Sequence, residues 1–256
     1  MKLLEVNGIS KVFGGLKAVD SVSLHVDRGE IVSVIGPNGA GKTTLFNLIT
    51  GIYRLDGGSV TFDGRDITNF PPKRIVRAGI SRTFQNIRLF SNLRVIENVL
   101  IGMHDSTKYG FGDLLLRTPR FRRMEQAQAQ RAIDILKKIE LYDVLDSYAS
   151  DLPYGSQRRL EIARAIATGA KLILLDEPAA GMNPQESEEL MRFVVGLREE
   201  GFTILMIEHD MRIVMNISDR IYVMDYGKLI AQGTPKEIAV NPDVIRAYLG
   251  ESEDEA

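Results

Sequence analysis

The run Gly36-Pro37-Asn38-Gly39-Ala40-Gly41-Lys42-Thr43-Thr44 directly follows the apolar stretch Ile31-Val32-Ser33-Val34-Ile35. Glycines at 36, 39 and 41 let the backbone turn successive N–H groups inward, forming a nest for anionic oxygens. A helix is expected to open near Lys42, with the positive end of its dipole toward the same anion. This is the G-x-x-x-x-G-K-[ST] spacing of a phosphate-cradling loop, and a strand before it and a helix after it are the context the motif requires. It predicts a nucleoside triphosphate with Mg²⁺, with Lys42 on the β- and γ-phosphates and the Thr43 hydroxyl on the metal. A second constellation closes another apolar run, Leu172-Ile173-Leu174-Leu175-Asp176-Glu177. A buried strand that stops at a phosphate site delivers Asp176 toward the metal and leaves Glu177 to orient or deprotonate an attacking water. Adjacent residues of a strand face opposite sides, so the two carboxylates take different jobs.

The elements that must hold these groups can be read from hydrophobic period and turn residues. Leu4, Val6 and Ile9, then Val19, Val22, Leu24 and Val26, alternate as strands, with turns at Gly14-Gly15 and Arg28-Gly29. A helix is predicted from Thr43 to Thr50, closed by Gly51. The segment Gly57 to Gly64 reads as a strand ending in an Asp-Gly hairpin turn, and Pro71-Pro72 opens a helix through Arg77. From Val95 to Tyr148 the period becomes helical, with Phe121, Met124, Gln128, Ala132, Ile135 and Ile139 on one stripe. Strands and helices then alternate again. Helices are predicted over 157–168 and 187–200, strands over 172–175, 203–207 and 220–224, and a turn at Tyr226-Gly227-Lys228. Near-continuous apolar strands separated by helices imply a parallel sheet covered on both faces, an α/β fold.

Composition sets the outer limits. A chain of 256 residues with 44% hydrophobic content can bury one large core, or a domain with a subdomain. A net charge of −2 gives no electrostatic case for nucleic acid as a partner. The absence of cysteine excludes disulfides, thiolate metal sites and a cysteine nucleophile. No secretory signal is visible and no apolar run reaches the roughly 18 residues of a membrane span, so a cytoplasmic soluble chain is expected, with any membrane role acting through a partner. Arg117, Arg120, Arg122 and Arg123 form a basic cluster that reads as a solvated helix face or as an approach to anionic lipid or a membrane partner. The residues from Glu251 to Glu255 read as a frayed acidic tail.

Taken with the segment Leu152-Pro153-Tyr154-Gly155-Ser156-Gln157 and the following Arg158-Arg159-Leu160-Glu161-Ile162-Ala163-Arg164-Ala165, these motifs resemble the ATP-binding-cassette ATPases over essentially the whole chain. The resemblance implies a P-loop NTPase core of RecA-like type, an N-terminal antiparallel β-subdomain and a helical subdomain inserted at about residues 88–160. An ATPase domain would cover 1–240, and a C-terminal extension with its tail 241–256. It implies that Phe13 stacks on adenine, that Gln85 contacts Mg²⁺ and water, and that His209 touches the γ-phosphate. Loop residues 36–44, including Pro37, Asn38, Ala40 and Thr44, would wrap the phosphates of ATP.

Two departures stand out. The family's usual Leu-Ser-Gly-Gly-Gln signature has Pro153 where serine usually sits, and proline offers neither a hydroxyl nor an N–H to a phosphate. Tyr154, the Gly155 N–H, the Ser156 hydroxyl and the helix N-terminus remain to meet the ATP of a second subunit. In the dimer-interface loop Ala179-Ala180-Gly181-Met182-Asn183, Asn183 replaces the usual aspartate. These departures, with the ending Asn241-Pro242-Asp243-Val244-Ile245-Arg246-Ala247-Tyr248-Leu249-Gly250, resemble the ATPases of branched-chain amino-acid importers, and the long stretch between Gln85 and Leu152 is similar to the larger of the two ATPase subunits such importers use. Related urea and lipopolysaccharide systems share parts of the pattern. The partners so implied are membrane permease subunits, a second ATPase subunit and an extracytoplasmic solute-binding protein, with the chain bound peripherally at the cytoplasmic face of the membrane. The competing reading, a soluble cassette protein acting on ribosomes or DNA, would call for two cassettes in one chain or a long coiled-coil insertion.

Overall fold

A computed structural model describes the backbone of residues 1–103 and 119–249. The basic position Arg117, the side chain of Arg120 and the tail at 251–255 lie outside the described residues; Arg122 and Arg123 are exposed. The chain divides into two compact units, residues 1–85 with 171–256, and residues 86–170.

The first unit is built on two sheets. Strands β1 (Lys2–Phe13) and β2 (Leu16–Asp27) form an antiparallel pair joined by Gly14-Gly15, and β4 (Gly57–Phe62) and β5 (Arg65–Asp66) extend it in the order β2-β1-β4-β5. The second sheet contains β3 (Ile31–Ile35), β6 (Ile80–Arg82), β7 (Leu172–Asp176), β8 (Thr203–Ile207), β9 (Arg220–Asp225) and β10 (Lys228–Gly233). Its order is β10-β9-β3-β8-β7-β6, parallel except for the antiparallel edge strand β10. Every residue of β3, β7 and β8 is buried, as continuous apolar runs in a covered parallel sheet should be. Helix α1 (Lys42–Ile49) joins the inner face of both sheets through Leu45, Phe46 and Ile49, in one core with Leu4, Ile9, Val26, Phe62, Leu174 and Leu205. Short helix α2 (Pro72–Ala78) leads into β6.

Two elements here carry too little sequence signal to be seen in advance. Strand β6 is three residues long, and the β9–β10 hairpin turns on Tyr226-Gly227 alone, so Lys228 already belongs to a strand.

The second unit holds α3 (Val95–Gly102), α4 (Pro119–Lys138) and α5 (Tyr154–Ala167), with single 3-10 turns at Tyr142–Val144 and Ala149–Asp151. Of the expected stripe Ala132 and Ile139 are buried, Met124, Gln128 and Ile135 are half-buried, and the side chain of Phe121 lies outside the described residues; Leu136, Val99, Leu160 and Ala163 are buried beside them. Fully buried Asn98 ties down the segment before α3, accepting from Phe90 N and donating to the Phe90 and Arg94 carbonyls. Helix α5 begins three residues earlier than the sequence predicts, so Tyr154, Gly155 and Ser156 lie inside its first turn.

Back in the first unit, α6 (Pro184–Glu199) also starts three residues early, because Asn183 and Glu186 form a reciprocal cap. The chain closes with α7 (Met211–Ile217), α8 (Pro235–Ala239) and α9 (Pro242–Leu249), which bury Val214, Ile238 and Val244 against Ile35, Ile221 and Val223. No helix among the described residues is long and apolar enough to cross a membrane.

Candidate nucleotide site

The register of the parallel strands decides which residues meet. Ile207 of β8 pairs in register with Asp176 of β7, and Val34 of β3 pairs with the same Ile207. The phosphate loop after Ile35, the pair Asp176-Glu177 and the segment Glu208-His209 therefore leave the sheet at one edge, its carboxyl end. On the far side Arg82 pairs with Leu174, which brings Gln85 level with Glu177. Ligands of open α/β sheets bind at this edge.

The loop itself is tightly constrained. Gly36 and Gly41 have φ of 146° and 97°, and a Cβ at either would run into a backbone carbonyl, that of Met224 or of Ala18. Only glycine lets the loop approach these neighbours so closely. Lys42 is 8% exposed, and its ammonium donates to the carbonyls of Gly36 (2.7 Å) and Pro37 (2.8 Å), so the cation sits within the loop's own curve. Asn38, Gly39 and Thr43 are exposed, Thr44 is half-buried and Ala40 is buried.

Three of the sequence-selected groups converge beyond the loop. Gln85 donates from Nε2 to Glu177 Oε2 at 2.8 Å, and His209 Nδ1 lies 3.9 Å from the same oxygen. Glu177 has φ of 46°, a left-handed conformation uncommon outside glycine, and its N–H donates to the Ile207 carbonyl at 3.0 Å. That twist turns Glu177 out of the strand while Asp176 stays buried at 4% exposure. His209 is 63% exposed, open to a ligand at the edge.

Phe13 closes β1 with its ring 41% exposed. Tyr53 packs edge-on against it at 5.3 Å, and Lys11, paired with Asp56, lies 5.5 Å from its centroid. Of the remaining selected residues, Asn183 caps α6 in the first unit, and Pro153 to Ser156 belong to the second unit. There Pro153 is the N-cap of α5 with no side-chain hydrogen bond, and Gln157 donates to the Pro153 and Leu152 carbonyls at 2.9 Å. The helix is anchored by a buried pair, Arg158–Glu161 at 2.9 Å, whose carboxylate also accepts from Arg88 N.

Sequence reasoning missed two charged residues at the edge. Arg82 donates to Asp176 Oδ2 at 2.6 Å with both side chains at most 6% exposed. Glu208, with no exposed surface, accepts from Ala179 N (3.0 Å) and His209 N (3.1 Å), linking the loop after Glu177 to the histidine. Burial raises its carboxyl above the ordinary range, against the pull of those N–H donors. Neither residue has a spacing signature, since the partner that ties each into the edge, Ala179 for Glu208 and Asp176 for Arg82, lies far along the chain.

The donor set suits a metal that arrives with a phosphorylated ligand. Among the described residues no group of three His, Asp or Glu side chains is placed to hold a cation. One carboxylate, one hydroxyl and one amide suit Mg²⁺, which takes few protein ligands and completes its shell with phosphate oxygens and water.

Comparison with known proteins agrees with this geometry. The profile described as "ABC transporter" matches residues 19–180, and that described as "Branched-chain amino acid ATP-binding cassette transporter" matches residues 228–254. The chain is 52% identical over 251 residues to the high-affinity branched-chain amino acid transport ATP-binding protein LivG of Salmonella typhimurium, covering 98% of each. It is 47% identical to BraF of Pseudomonas aeruginosa, named in the same terms, with the same coverage. Among solved structures, the ADP conformation of an ATP-binding cassette of an ABC transporter superposes with a TM-score of 0.85 at 37% identity, over 98% of this chain and 99% of that one.

Proposed function

The chain belongs to the ATP-binding cassettes of ABC transporters, and from that premise we propose that it hydrolyses ATP to power the import of branched-chain amino acids. The observation that carries the reading is the convergence of Gln85 and His209 on one oxygen of Glu177 at the sheet edge where the phosphate loop ends.

In this reading ATP enters with Mg²⁺, its base against Phe13 and its phosphates in residues 36–44. Thr43, Gln85 and Asp176 would hold the metal, whose positive charge would be available to offset that of the phosphate oxygens. Glu177 orients a water in line with the γ-phosphate; the water oxygen forms the new bond as the bond to the β,γ-bridging oxygen breaks, leaving ADP and inorganic phosphate. Lys42 and His209 meet charge developing on the transferred group. The loop is half of a site. Pro153, Tyr154, Gly155 and Ser156 of a second cassette complete it, with Asn183 at the interface between the two. The pair acts on permease subunits from the cytoplasmic face, and a solute-binding protein outside delivers the cargo.

Replacing Glu177 tests this reading. Glu177→Gln keeps the shape and the acceptor toward Gln85 but removes the charge that orients water. ATP binding is expected to persist, turnover to fall by about 10²-fold or more, and an ATP-dependent dimer to accumulate in size-exclusion chromatography. Hydrolysis at the wild-type rate would remove Glu177 from its role.

A further inference from the structure

Arg82 sits where three site-bearing elements meet. It ends β6, the strand that leads to Gln85. One terminal nitrogen donates to Asn47 Oδ1 at 2.7 Å on α1, the helix that begins at Lys42-Thr43, and the other donates to Asp176 Oδ2 at 2.6 Å on β7. Two aromatic rings lie close to the guanidinium, with Phe46 at 5.6 Å and Phe84 at 5.2 Å from its carbon. Its Nε is buried without a hydrogen-bond partner. A planar fork held by rings and by Asn47 has little freedom to pivot, so the grip on Asp176 is fixed in direction as well as distance.

That grip takes one oxygen of the carboxylate. A guanidinium that takes one lone pair of Oδ2 and crowds its side makes that oxygen the poorer cation ligand, so chelation through both oxygens is disfavoured against coordination through Oδ1 alone. Ca²⁺ favours six to eight oxygens and accepts bidentate carboxylates, whereas Mg²⁺ demands a small octahedral shell. We propose that Arg82 is a positioning residue that makes Asp176 a one-oxygen acceptor and so biases the site toward Mg²⁺ against Ca²⁺. The proposal rests on the reading of this edge as a metal–nucleotide site.

The test measures metal preference without turnover. Mn²⁺ is bound to the full chain with ADP, and Mg²⁺ or Ca²⁺ is titrated in while electron paramagnetic resonance reads the Mn²⁺ released. The ratio of the two displacement constants is compared with wild type under identical conditions, which cancels the cations' own affinities for ADP. In Arg82→Met the preference for Mg²⁺ should fall about tenfold, the low end for loss of an outer partner of a metal-holding carboxylate. In Arg82→Lys, which keeps the charge but cannot hold Asn47 and Asp176 in one fork, it should fall less and in the same direction. Should the methionine variant fail to fold, the lysine variant decides. A wild-type ratio in whichever variant folds overturns the proposal and leaves Arg82 a packing residue. If the wild-type chain itself takes up no Mn²⁺ with ADP, the metal–nucleotide reading is wrong and the proposal falls with it.

Discussion

Glu208 shows how a residue with no motif of its own joins a site. It follows the last residue of β8, where its buried carboxylate ties Ala179 and His209 together by their N–H groups. Because burial raises its folded pKa above the ordinary 4.5, the fold favours the neutral acid. Its contribution to stability is therefore complete below pH 4.5 and is lost as pH rises through the raised value. Glu208→Gln does not titrate, so the stability of wild type relative to this variant should shrink as pH climbs from 4.5 and then level off. Urea unfolding of both proteins across that range measures the difference, and a flat difference would mean that Glu208 titrates alike folded and unfolded. The phosphate loop, Asp176 and Glu177 were legible because backbone chemistry and strand ends dictate their spacing, and Gln85 and His209 only through the resemblance to a family. Glu208 and Arg82 were not, since the partners that tie them into the edge, Ala179 and Asp176, are 29 and 94 residues away.

Among the elements, the five- and six-residue parallel strands β3, β7, β8 and β9 were the most legible, since burial on both faces leaves a continuous apolar run that three-residue β6 is too short to show. Helix starts were less so. Both α5 and α6 begin three residues before the sequence suggests, each just after its cap: Pro153 for one, Asn183 for the other. The cap also tolerates asparagine at 183. Its Oδ1 accepts from Glu186 N at 3.0 Å while Glu186 returns a bond to Asn183 N, and this needs an acceptor oxygen but no charge. Asparagine and aspartate are equivalent there, so Asn183→Asp should leave the melting temperature nearly unchanged. Asn183→Ala should cost about 1 kcal/mol, or about 2–4 °C for a chain of this size. Calorimetry of the isolated chain separates this local role from any effect on pairing with a second cassette. Equal melting temperatures for alanine and asparagine would show that the cap contributes nothing.

At the scale of the whole molecule, the phosphate loop, Asp176 and Glu177 belong to one compact unit and the segment from Leu152 to Gln157 to the other. In the proposed dimer each ATP joins the first unit of one chain to the second unit of its partner. The atypical Pro153 bears on that junction. As N-cap of α5 it contributes no side-chain bond, while the N–H groups of Gly155 and Ser156 fall in the first turn, outside the helix's own i→i−4 ladder. Those donors and the helix dipole can meet a partner's γ-phosphate without residue 153. Pro153→Ser would add one hydroxyl able to cap the helix or to reach the phosphate. A single added hydrogen bond contributes about 0.5–1.5 kcal/mol, so the ATPase rate should change by no more than about tenfold. If the hydroxyl caps the helix, the isolated chain gains about 1 kcal/mol of stability and turnover stays near wild type; if it reaches the phosphate, the rate rises and stability does not. Measuring both on the same variant assigns the hydroxyl. A rate increase of several orders of magnitude would show that the helix N-terminus alone does not complete the site, and that proline at 153 holds this cassette back.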